Sequence, residues 1–153
     1  MRLYLVRHGE AGHAAHDDER ALTPRGAEET RGVFAVAASL LPAECPRVWS
    51  SPLRRAQQTA EIAARALSCR DAAYRISEAL RPETPLEQLA GELEANRQWP
   101  LMLVAHQPLL GKLLSWLVDD DSLRHGVPTS GLYALDVIAF VRGGASLLWQ
   151  RYP

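Results

Sequence analysis

Apolar residues along the chain follow two rhythms. RLYLVR at 2 to 7 and RVWS at 47 to 50 read as short strands, and LMLVA at 101 to 105 is a continuous apolar run, without the alternation of a strand that has one wet face. Such runs are buried on both sides in a parallel sheet. Between them the apolar positions step by three and four: Val33, Phe34, Ala37, Leu40 and Leu41; then Leu53, Ala56, Ala60, Ala63 and Leu67; then Leu86, Leu89, Ala90 and Leu93; then Leu110, Leu113, Leu114 and Leu117. Each set forms one stripe on a helix, so four helices are predicted. A shorter strand is expected at 74 to 76.

Start and stop signals refine these boundaries. Thr23-Pro24 reads as an N-cap followed by proline at the first helical position, and Ser51-Pro52 repeats that opening for the second helix. Thr84, Pro85 and Glu87 form a capping box for the third, which exits at Trp99-Pro100. The fourth closes before the acidic turn at 119 to 121. At the carboxyl end, LYALDVIAFV and SLLWQRY flank Arg142-Gly143-Gly144, the pattern of an antiparallel hairpin. Only two long connections remain, a polar loop at 11 to 21 and a segment at 119 to 130. Strands alternating with helices specify an α/β fold, a three-layer α/β/α sandwich whose sheet is mainly parallel and ends in an antiparallel hairpin. A single domain over 1–153 is expected.

Composition narrows the function. With 153 residues, 47% of them hydrophobic, the chain can bury a full core, so it is not a small scaffold held by disulfides. Cys45 and Cys69 form no CxxC pair, which is read here as a reduced, cytoplasmic setting with both cysteines as small packing or surface residues. The apolar run from Leu3 to Val6 before Arg7 is too short for a secretory signal, and no stretch has the 18 or so apolar residues of a membrane span. A soluble protein is expected. The 17 basic and 18 acidic residues nearly cancel, giving no global attraction to nucleic acid or to an anionic membrane. Anion recognition therefore has to be local. The four tryptophans, Trp49, Trp99, Trp116 and Trp149, read as packing residues.

Ligands of parallel sheets gather beyond the carboxyl ends of the strands. There this chain carries Arg7-His8-Gly9-Glu10 after the first strand, residues 51 to 55 after the second, and His106-Gln107-Pro108 after the LMLVA strand. Two histidines and two arginines meeting near helix amino termini suit a tetrahedral dianion such as phosphate. A neutral imidazole can attack phosphorus, and nearby guanidinium charges favour that neutral form while stabilising charge on the equatorial oxygens. His13, His16, Asp17 and Asp18 are capable of binding metal, but they lie on an unpatterned loop and supply no closed tetrahedral set. No metal and no cofactor are assigned.

Three motifs, VRHGE at 6 to 10, SSPLRRAQQT at 50 to 59 and VAHQPLLGKL at 104 to 113, resemble those of the histidine phosphatase (phosphoglycerate mutase-like) superfamily. The likeness is to the short SixA-type phosphohistidine phosphatases and runs from Met1 into the final hairpin. It implies that His8 accepts the phosphoryl group and that Arg7, Arg55 and His106 clamp its oxygens; spacing to Ala56 and Thr59 selects Arg55 over Arg54. Arg20, in ERALTPRG, is implied as a further phosphate contact. Larger relatives carry an acidic proton donor after the third strand, on an insertion that also covers the substrate. Here that region is short, and Glu78 is preferred over Glu83 because it follows the strand more closely.

The implied activity is that of a metal-independent phosphatase with a phosphohistidine enzyme intermediate, acting on phosphohistidine of a signalling phosphotransfer protein. The sequence adds that about 33 residues separate Leu67 from Leu101, too few for a large lid, so the crevice should admit a protein side chain. The alternatives are a phosphomonoesterase for a small phosphate ester, such as a sugar phosphate or nucleotide, and a non-catalytic phosphate-binding module. A module of the latter kind would need the arginines but not His8.

Overall fold

The computed structural model describes residues 1–41, 43–67, 74–96 and 98–153. Six strands and four helices alternate along them: β1 (Arg2–Arg7), α1 (Pro24–Ala37), β2 (Arg47–Ser50), α2 (Arg54–Ala66), β3 (Tyr74–Ile76), α3 (Leu86–Ala95), β4 (Leu101–Ala105), α4 (Leu109–Val118), β5 (Leu132–Val137) and β6 (Ala145–Arg151). The strands form one sheet in the order β3-β2-β4-β1-β5-β6. The first four in that order run parallel, while β5 and β6 are antiparallel to their neighbours.

Both faces of the sheet are covered, which is why its central strands lack alternation. On one side Tyr4, Val6, Val48, Met102 and Val104 pack against Val33, Phe34 and Ala37 of α1 and Ala56, Ala60 and Ala63 of α2. On the other, Leu3, Leu5, Trp49, Leu101 and Leu103 meet Leu89 and Leu93 of α3 and the leucines of α4. The alanine stripe of α2 lets that helix lie close to the sheet. The expected three-layer α/β/α arrangement with an antiparallel carboxyl-terminal hairpin is the observed one.

Register decides where the chemistry lies. Arg7 pairs with Ala105 between β1 and β4, and Ser50 pairs with Val104 between β2 and β4. The next residues continue the ladder, with the His8 amide donating to the Ala105 carbonyl (3.0 Å) and the Ser51 amide to that of Val104 (3.0 Å). Three adjacent strands therefore end level, delivering His8, Ser51 and His106 to one edge.

Local signals failed where tertiary contacts competed for the same groups. Thr23 caps α1 as expected, accepting from the Gly26 amide at 2.9 Å. Ser51-Pro52 does not open α2: the N-cap is Leu53, and Ser51 turns its hydroxyl to His106. Thr84 does not cap α3, which starts from Pro85 without a side-chain cap; its hydroxyl donates to the Glu78 carbonyl. The first helix ends at Ala37 and continues as a short 3₁₀ turn over Ala38–Leu40. Helix α3 stops at Ala95, before Trp99-Pro100, and β5 stops at Val137, so the hairpin connection is longer than the Gly-Gly turn expected. Cys45 is exposed, as the surface reading allowed, but it is disulfide-bonded, which departs from the reduced setting expected of it; Cys69 lies outside the described residues. Among the described residues, no helix is long and apolar enough to cross a membrane.

Candidate active site

The level ends of β1, β2 and β4 put the His8 and His106 rings 4.9 Å apart, centroid to centroid. Arg55 lies in the first turn of α2, buried, with its Nε 3.4 Å from Nε2 of His8. Arg7 reaches from the end of β1, donating from Nη1 to the Val127 carbonyl (2.8 Å), while its buried Nε has no partner. The strand ends, together with the family resemblance that selects Arg55, predict that these side chains converge, and the structure brings them together around His8.

The backbone around His8 fixes which of its nitrogens carries the proton. Its Nδ1 lies 2.7 Å from the Gly9 carbonyl, which can only accept, so Nδ1 carries the proton and Nε2 keeps its lone pair. Burial is the leading cause that lowers the His8 pKa to about 4; the Gly9 hydrogen bond opposes this, and the Arg55, Arg7 and Arg20 charges add to it. His106 is lowered further, to about 2, again by burial first and then by His8 and Arg55. Burial also lowers the pKa of Arg7. The arginine fields invoked from sequence thus act in the expected direction but rank below desolvation. Near neutral pH, two uncharged imidazoles face guanidinium groups.

Small residues allow this close approach. A Cβ on Gly9 would lie 2.8 Å from both the Gly26 carbonyl oxygen and the Thr30 hydroxyl. The Gly9 amide donates to Oγ1 of Thr59 (3.1 Å), and that hydroxyl donates in turn to the Arg55 carbonyl (2.8 Å). Thr59 therefore ties the loop after His8 to the turn that carries Arg55. The sequence reading used Thr59 only to select between Arg54 and Arg55.

The polar loop at 11 to 21 is ordered, because both its ends are pinned. Ala11 and Leu22 form an isolated antiparallel bridge, and Gly12 and Ala21 share a hydrogen bond of 2.9 Å. Its tip is a 3₁₀ turn over Asp17–Glu19 that folds back onto Arg55. Arg55 donates to the Asp17 carbonyl (2.8 Å) and to its carboxylate (3.1 Å), and Arg20 donates to the same carboxylate (3.1 Å) and to the Gly12 carbonyl (2.8 Å). Partial burial works to raise the Asp17 pKa, but the hydrogen bonds from Arg20 and Arg55 together outweigh it and lower the pKa. Asp17 was noted in sequence only as a metal-capable loop residue; its spacing of three from Arg20 was the available signal. Among the described residues, no three His, Cys, Asp or Glu side chains are grouped to hold a metal ion.

Glu78 opens a 3₁₀ turn directly after Ser77 at the end of β3, with its side chain 72% exposed and paired to Arg81. Arg81 also binds Asp18, so Glu78 connects to the Asp17 turn through Arg81 and not through His8. Glu83 is exposed. The crevice thus holds His8, His106, Arg7, Arg55 and Ser51 at its floor and Arg20 with Asp17 at its wall, whereas Glu78 stands at the rim.

Known proteins share this arrangement of elements. Residues 3–107 match the family model of the histidine phosphatase superfamily, branch 1. The chain is 29% identical over 161 residues to the phosphohistidine phosphatase SixA of Escherichia coli (strain K12), covering 100% of this chain and 94% of that protein. It is 36% identical over 118 residues to an uncharacterized protein of Picosynechococcus sp., with 73% and 70% of the two chains covered. A solved structure of the protein histidine phosphatase SixA complexed with tungstate superimposes with a TM-score of 0.86 at 26% identity, over 100% of this chain and 97% of that one. Motif order, fold and alignment agree: the chain belongs to the histidine phosphatase superfamily, branch 1, and is a phosphatase of SixA type.

Proposed function

We propose that the chain, as a single catalytic domain over 1–153, removes phosphate from phosphohistidine on a signalling phosphotransfer protein, with His8 as the transient phosphate carrier. The observation that carries this reading is the His8 geometry: Nδ1 is engaged by the Gly9 carbonyl, leaving the Nε2 lone pair directed to the Arg55 side of the crevice. In the first step Nε2 attacks phosphorus. An N–P bond forms as the bond to the substrate imidazole breaks, and the departing nitrogen takes the electron pair and then a proton. Arg7, Arg55 and His106 bind the phosphoryl oxygens where negative charge develops, with Arg20 as a further contact from the wall. Water then attacks phospho-His8 from the opposite side, releasing inorganic phosphate and restoring the neutral ring.

The nature of the leaving group favours a phosphoramidate. An imidazole is readily protonated as it departs, whereas an alkoxide requires a positioned acid. Glu78, the residue proposed for that acid, is engaged by Arg81 at the rim. The SixA relatives, one of which bears the name phosphohistidine phosphatase, support the same substrate class. The test is the hydrolysis of a histidine-phosphorylated phosphotransfer domain beside a panel of sugar phosphates and nucleotides, by chelator-treated enzyme, compared as kcat/KM. Preference for the phosphoprotein, lost in His8→Ala, is expected. Preference for one small ester would replace this reading with that of a metabolic phosphomonoesterase, and undiminished turnover by His8→Ala would remove the covalent step.

A further inference from the structure

His106 is 1% exposed, and its two ring nitrogens have different surroundings. Nε2 lies 2.7 Å from Oγ of Ser51, whereas Nδ1 is buried without a partner. Ser51 is itself completely buried at the end of β2, held by its amide bond to the Val104 carbonyl. Its hydroxyl oxygen also accepts from the Leu53 amide at 3.3 Å, at the start of α2.

A hydroxyl has one proton to give and two lone pairs. The Leu53 amide can only donate, so it takes one lone pair of Ser51. If Nε2 of His106 donated as well, the hydroxyl proton of Ser51 would be left unpaired in a site closed to water, which is costly. If Nε2 accepts, every group in the chain Leu53 N–H, Ser51 O–H and His106 Nε2 is satisfied. A neutral His106 with an accepting Nε2 carries its proton on Nδ1. The nitrogen without a protein partner is then a donor, as is the second buried unpartnered group of the crevice, Nε of Arg7. An anion with several acceptor oxygens satisfies both. In the opposite tautomer, Nδ1 would present a lone pair to those same oxygens.

We infer that Ser51 is a positioning residue that fixes which nitrogen of His106 bears the proton, and so makes His106 a hydrogen-bond donor to the transferred phosphoryl group. This assignment rests on the proposed phosphatase mechanism for its use, but the tautomer is a property of the resting protein. Ser51 acts through His106 and need not touch the substrate. Relaying the Leu53 amide at the start of α2 through a serine also couples the helix that carries Arg55 to the histidine that follows β4, so that both proposed phosphate ligands are set by one hydrogen-bond chain.

The test is the ring-nitrogen NMR of uniformly ¹⁵N-labelled full-length protein near neutral pH, with the His106 signals assigned by comparison with His106→Asn. The expected wild-type pattern is a protonated Nδ1 and an unprotonated Nε2, and in Ser51→Ala the Nε2–H form should appear. Titration with inorganic phosphate, followed by the same signals, should show affinity reduced in Ser51→Ala by about tenfold to a hundredfold, as when the orienting partner of a ligating histidine is lost. An Nε2–H tautomer in the wild-type protein would overturn the proposal even if Ser51→Ala does not fold, and an unchanged tautomer in a folded Ser51→Ala would also overturn it. A protein that hydrolyses no phosphohistidine substrate yet shows the Nδ1–H form refutes the substrate assignment alone.

Discussion

Replacing His8 with Asn and following the unfolding free energy from about pH 7.5 to about pH 4 tests whether burial holds the candidate nucleophile neutral. In the folded protein the His8 pKa is lowered from 6.5 to about 4. As the pH falls below 6.5, the unfolded chain therefore binds a proton at this position while the folded chain does not. For a depressed histidine, stability is fully present above the unfolded pKa and is lost as the pH falls toward the folded value. The slope approaches about 1.4 kcal/mol per pH unit, so the loss accumulates to roughly 3 kcal/mol by pH 4. His8→Asn lacks this titration, while the carboxylates and His106 remain in both proteins. The stability difference, wild type minus variant, should thus shrink by roughly 3 kcal/mol over the interval. Denaturant unfolding at a series of pH values measures it, in buffer free of phosphate because bound anion would stabilise the site. A difference that stays constant would show that His8 titrates alike in folded and unfolded chains. One that grows as the pH falls would mean that the imidazolium is favoured in the crevice, refuting the neutral-nucleophile reasoning.

Three further outcomes follow from the geometry. Arg55→Ala should lower kcat/KM on a histidine-phosphorylated protein by about a hundredfold to a thousandfold, the size of effect seen when one preorganised donor to a developing charge is removed; steady-state kinetics giving near wild-type values would dismiss Arg55 as a phosphate ligand. Glu78→Gln should reduce turnover of an alkyl phosphate more than that of phosphohistidine, and equal losses on the two substrates would remove Glu78 from the proton-transfer assignment. Gly26→Ala would place a Cβ 2.2 Å from the Glu10 carbonyl oxygen, forcing α1 away from the loop that follows His8. Its thermal unfolding midpoint should fall, by a cost on the order of 1–3 kcal/mol at least, and an unchanged midpoint would contradict the close contact.

Much of this protein was legible along the chain because the relevant physics is local or periodic. Strand β4 announced itself as an unbroken apolar run, because burial on both faces selects apolar residues throughout, and the apolar cores of β1 and β2 marked those strands. The alanine stripe of α2 and the leucine stripe of α4 identified the faces that pack on the sheet. Arg7, His8 and His106 could be nominated because they stand at recognisable strand ends, where a parallel sheet gathers ligands, whereas Arg55 was chosen over Arg54 by the family resemblance.

What the chain could not disclose depends on groups far apart in sequence competing for the same partner. Ser51 has the spacing of a helix cap, but a histidine 55 residues away takes its hydroxyl. Thr84 is a different case, since the partner that draws its hydroxyl, the Glu78 carbonyl, is only six residues away and α3 starts from Pro85. Asp17 is marked along the chain only by its spacing of three from Arg20, and its contact with Arg55 exists because the loop between Ala11 and Leu22 folds back. By itself the sequence indicated the main elements, their layered arrangement and, through its likeness to the family, a set of candidate phosphate-binding residues, since side-chain type and spacing are local properties. The β1-β4-β2 register decided which of them meet. Enclosure by the surrounding layers made desolvation, ahead of the neighbouring charges, the main reason that His8 stays neutral, because burial is a property of the whole packed fold and not of any segment.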